Sequence, residues 1–62
     1  MDEKLKQAIQ KDLSTLKSRI TELEFDIRDA KNAGLDIEYS EQRLRDFRLQ
    51  YNRLVSVYGL PV

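Results

Sequence analysis

Apolar residues in this chain recur at Ile9, Leu13, Leu16, Ile20, Leu23, Ile27 and Ala30, separated alternately by four and three positions. That spacing keeps one stripe of a helix against a partner helix, a heptad seam with Leu13, Ile20 and Ile27 at a. A second seam runs through Ile37, Ser40, Leu44, Phe47, Tyr51, Leu54 and Tyr58, with Ile37, Leu44, Tyr51 and Tyr58 at a. Two consecutive seams specify an all-α chain of two long helices.

The segment between them, Ala33-Gly34-Leu35-Asp36, reads as a stop followed by a start. Gly34 can take the left-handed conformation that closes a helix, and Leu35 is placed to fold back on Ala30 in a Schellman arrangement. Asp36 is a good N-cap, and Glu38 follows in the first turn, where the helix dipole favours negative charge. The second helix meets Gly59, Leu60 and Pro61: glycine ends it, Leu60 can fold back on Val55, and proline forbids continuation. The expected organisation is one helical hairpin over 1–62, with helix 1 about 3–33, turn 34–36, helix 2 about 37–58 and a short tail 59–62. Setting a against d in antiparallel order pairs residues whose numbers sum to 67, among them Leu16 with Tyr51, Leu23 with Leu44 and Ile27 with Ser40. The implied turn centre falls between Ala33 and Gly34.

A chain of 62 residues has difficulty burying enough apolar surface, and such chains are usually stabilised by disulfides, a metal or a partner. Cysteine and histidine are both absent, so disulfides are excluded and the usual zinc ligands are missing. Self-association is the remaining means. The expectation is an antiparallel coiled-coil hairpin that dimerises into a four-helix bundle, most simply with two-fold symmetry.

Charged residues make up 35% of the chain, and Gly plus Pro total three, a composition suited to long solvated helices. In the antiparallel register Glu24 can reach Arg48, Lys31 can reach Glu41, and Asp26 lies near Arg43. Glu24 with Arg28 and Glu41 with Arg45 stand at i,i+4 in the favoured order. The zero net charge conceals a polarised layout. Residues 1–19 and 48–62 each carry net +2, and residues 20–47 carry net −4. Folded as a hairpin, the open end is +4 and the turn end −4, so antiparallel or head-to-tail association brings opposite charges together.

No catalytic, cofactor-binding or metal-binding set is expected. Glu22, Asp26 and Asp29 share one side of the first helix, yet acid–base work or magnesium binding needs oxygens converging in a cleft. A two-helix rod supplies none, and a solvated acidic face is the plainer reading. Without histidine or cysteine no nucleophile–base pair can be assembled, and no glycine-rich phosphate loop is present. The chain is therefore read as a non-enzyme without cofactors. No apolar run is long enough for a membrane span, and the start Met1-Asp2-Glu3-Lys4 lacks a secretory apolar segment, so an intracellular, cytoplasmic site without membrane attachment is expected.

Residues that break the seam pattern are the candidates for function. Phe25 and Leu49 fall at f, facing away from the seam. Val55 at e, Val57 at g and Tyr39 at c widen the apolar surface of the second helix. Taken singly they are ordinary surface residues; taken together they mark a second contact surface. Arginine forms the other group. Arg43, Arg45, Arg48 and Arg53 all follow the turn, and arginine suits interfaces and phosphate forks. Phe47 and Tyr51 interleave them but occupy seam positions, which fits core better than base stacking.

The preferred function is thus a self-associating adaptor or assembly protein that docks on another protein. The alternative is a small RNA- or DNA-binding regulator built as a hairpin dimer. A small phage or mobile-element product suits the adaptor reading. The size and hairpin plan resemble the small plasmid RNA-binding proteins that dimerise into four-helix bundles, and the short two-helix regulators of sporulation phosphorelays. The latter carry a Ser-Gln-Glu-Leu-Asp signature; Ser40-Glu41-Gln42-Arg43-Leu44 differs in order and lacks its acidic end. Both resemblances concern fold, and no residue role is carried over from them.

Overall fold

The computed structural model describes residues 2–59, which form two helices, α1 (Glu3–Asn32) and α2 (Glu38–Tyr58), packed against each other as a hairpin. The rod measures 47 × 15 × 13 Å, a length set by α1, since 30 residues at about 1.5 Å each span about 45 Å. Asp2 caps α1, its carboxylate accepting from the Lys4 amide at 3.4 Å. Within the described residues no helix is long and apolar enough to cross a membrane.

The turn follows the sequence signals, with two shifts. Gly34 adopts φ +76°, and its amide donates to the Lys31 carbonyl while the Leu35 amide donates to Ala30. These are the two hydrogen bonds of a Schellman motif, with Gly34 at the left-handed position. The Leu35 side chain, however, remains 64% exposed, so the backbone half of the motif forms without its apolar cover. The second shift is at the start of α2. Ile37 occupies the N-cap, and the capping oxygen comes from one residue earlier, where Asp36 Oδ1 accepts from the Glu38 amide at 3.0 Å. The linker is therefore Ala33 to Ile37, centred on Leu35 rather than between Ala33 and Gly34. At the other end Gly59 takes φ +63° and donates to the Val55 carbonyl at 2.7 Å, a single-bond left-handed cap. The expected roles of Leu60 and Pro61 lie outside the described residues.

Every seam position from Ile9 to Leu54 is buried or half-buried. Among the described residues Ile9, Leu13, Leu16 and Leu44 are buried, and Leu13 alone has no exposed surface; the three on α1 lie away from the turn and Leu44 lies toward it. Toward the turn, Ile20, Leu23, Ile27 and Ala30 are only half-buried.

Grooves along the rod join Leu23 to Phe47, Leu16 to Leu54, and Ile27 to Leu44. The numbers of these pairs sum to 70 or 71 rather than 67, three or four residues beyond the expected a-to-d layers.

Candidate functional site

The heptad positions and the pairing of α1 with α2 together fix where each candidate side chain stands. A side chain at f points away from the partner helix, so Phe25 on α1 and Leu49 on α2 occupy opposite outer flanks of the rod. Phe25 is 52% exposed and Leu49 59% exposed. The depression at Phe25 is lined by Thr21, Glu24 and Arg28, all from α1. Above its ring lies the Arg28 guanidinium, 5.0 Å from the ring centre, a cation–π arrangement that keeps one face of the ring partly covered.

Tyr39, in the first turn of α2, is 75% exposed, and Val57, in the last turn, is also exposed. Val55 is half-buried and extends the seam cover. The five candidates are therefore spread around and along the rod rather than gathered in one patch. Leu5, exposed near the start of α1, joins the apolar surface of the open end. It sits at g, one turn before Ile9, and could have been found by extending the α1 heptad backward.

The arginines of α2 are distributed too, and three are already engaged. Arg48 reaches across to Glu24 at 3.2 Å. Arg45 donates to the Gln42 side chain at 3.4 Å, and Gln42 in turn donates to Asp46 at 3.2 Å. The Arg43 guanidinium lies 5.5 Å from the Phe47 ring centre. Arg53 is exposed on the remaining side of the helix. Their positions g, b, e and c encircle α2, so no continuous arginine stripe runs along one face. Of the expected cross-helix charge pairs, the described residues show Glu24 with Arg48 as an ion pair; Arg28 instead meets its neighbour Asp29 at 3.8 Å.

Glu22, Asp26 and Asp29 are all exposed, and among the described residues no three carboxylates gather closely enough to hold a metal ion. The buried residues are all apolar: among the described residues no polar or charged side chain is buried and no buried polar atom lacks a partner. What this geometry offers is surface, in the form of an apolar seam open along its flanks and separate apolar points on its outer sides. Comparison with protein-family models, with curated proteins and with solved structures found no match.

Proposed function

We propose that the chain is a non-enzymatic, self-associating adaptor or assembly protein that docks on a protein partner through its helix surfaces. The observation that carries this reading is the imbalance between what is covered and what is not. Among the described residues four side chains are buried, while Leu5, Phe25, Tyr39, Leu49 and Val57 all stand well exposed. Single exposed apolar residues are ordinary; this density on a rod 15 Å wide is a liability unless another surface covers it. A second copy covers the flanks of the seam. Phe25 and Leu49, which point outward from opposite sides, stay available to a different protein.

The arginine arrangement favours a protein partner over nucleic acid. Tracking a phosphate backbone calls for a basic groove or stripe, and Arg43, Arg45 and Arg48 are instead tied to Phe47, Gln42 and Glu24. Two measurements test the reading. Sedimentation at low micromolar concentration is expected to show at least a dimer, with melting temperature rising as protein concentration rises. Pull-down from native lysate is expected to retain a protein that the Phe25→Ser, Leu49→Ser double variant fails to retain. A sharply melting monomer indifferent to concentration overturns the first half, and retention of nucleic acid in place of protein overturns the second.

A further inference from the structure

The grooves on the two flanks of the seam, one lined by Arg45 and Arg48 and the other by Arg19, Glu22 and Asp26, differ in how these charges are used. One flank carries the e and b positions of both helices, and there Arg48 pairs with Glu24 and Arg45 with Gln42. The other carries the g and c positions. Here a groove crosses from α1 to α2, lined by Arg19, Glu22, Leu23, Asp26, Arg43 and Phe47. Leu23 and Phe47 form its half-buried apolar floor. Among the described residues Arg19, Glu22 and Asp26 take part in no ion pair and no side-chain hydrogen bond. The groove thus combines uncovered apolar surface with charges of both signs that find no partner within the chain.

We infer that this flank is the self-association surface, and that its occupant is a second copy of the chain lying antiparallel to the first. The inference rests on the self-association proposed above and specifies which surface is used and in which direction. A two-fold interface must be complementary to itself, each residue i meeting j where j meets i. An axis passing between Glu22 and Leu23 sets Arg19 of each copy opposite Asp26 of the other. It also places each apolar floor against its equivalent.

The whole-rod charge points the same way. With that axis the outer part of the acidic turn half comes to lie along part of the basic open half of the other copy, while residues 20–25 of the two copies face each other. A parallel arrangement would instead set −4 against −4. The area also suffices: a face 47 by 15 Å offers on the order of 700 Å² per copy, near the ~800 Å² per partner of a standard interface.

Charge reversal in trans tests both the surface and the direction. Full-length Arg19→Glu and Asp26→Arg proteins are prepared separately, their helicity is followed by circular dichroism, and dimerisation is measured by sedimentation alone and after mixing. Each variant alone faces like charge with like charge twice, so its dimer dissociation constant is expected to rise roughly tenfold or more. The mixture opposes one reversed charge to the other and is expected to recover to within about threefold of the native protein. Residues 19 and 26 are two turns apart on one helix, so contacts within the chain cannot produce that recovery. Single variants that dimerise like the native protein, or a mixture that fails to recover, overturn the antiparallel surface while leaving self-association standing. A native protein that is monomeric throughout overturns both.

Discussion

Arg48 Nη2 lies 3.2 Å from Glu24 Oε2, joining α2 to α1 across the seam between two e positions. The two side chains are 51% and 49% exposed, so water screens much of their attraction and the pair orients the helices more than it stabilises them. A double-mutant cycle with Glu24→Gln and Arg48→Gln is expected to give a coupling of about 0.2–1 kcal/mol that shrinks as salt is raised. Denaturant titration at two ionic strengths measures it, and a coupling that grows with salt contradicts the assignment.

Cysteine pairs report the register. Leu16→Cys with Tyr51→Cys, and Leu23→Cys with Leu44→Cys, are expected to oxidise within one chain if each pair shares a layer, as the heptad register proposes. Leu16→Cys with Leu44→Cys, displaced by a heptad, is expected to stay reduced, since a disulfide tolerates only about 4.4–6.8 Å between α-carbons. Faster closure of Leu16→Cys with Leu54→Cys and of Leu23→Cys with Phe47→Cys, scored by mass after brief oxidation, points to pairing slid by three residues.

Truncations along the seam are expected to rank by cover. Leu13 is fully enclosed, so Leu13→Ala removes a packed side chain and leaves a cavity, a loss of about 2–5 kcal/mol. Ile27 is only half-buried, and Ile27→Ala falls at or below the lower end of that range. Thermal melts at one fixed protein concentration compare the two. Equal losses contradict the greater cover of Leu13.

The turn glycine offers a cleaner case, because nothing lies within 4 Å of where a β-carbon at Gly34 would sit. The only cost of Gly34→Ala is the left-handed backbone at φ +76°, about 1–2 kcal/mol. Asparagine enters that region more readily, so Gly34→Asn is expected to lose less than Gly34→Ala. If the two variants melt alike, the conformation at this position is not what limits substitution.

The hairpin and its stop at Gly34 were legible because both rest on local rules: heptad spacing for the seams, and left-handed glycine for the turn. The displaced cap was not. Asp36 is a good N-cap in isolation, yet the Schellman bonds from Gly34 and Leu35 carry the chain on, and Ile37 becomes the first residue able to enter α2. The dispersal of Phe25, Leu49, Tyr39, Val55 and Val57 was partly written in their heptad letters, since two f positions on paired helices must diverge. The contrast between a groove whose arginines, Arg45 and Arg48, are engaged and one in which Arg19, Glu22 and Asp26 are not was hidden. Glu24 chooses Arg48 rather than its helical neighbour Arg28, and only the paired helices make that choice available.

The placement of the buried cluster has a consequence for how the chain closes. Leu16 and Leu54, which share a groove at the open end, are 38 residues apart in sequence, whereas Ala30 and Ile37 flank the turn directly. Zipping from the turn therefore joins the half-buried Ala30, Ile37 and Ile27 and the buried Leu44 first, and the side chains around Leu13 are covered only after the long loop has closed. Leu13, the most enclosed side chain among the described residues, is thus expected to be covered late.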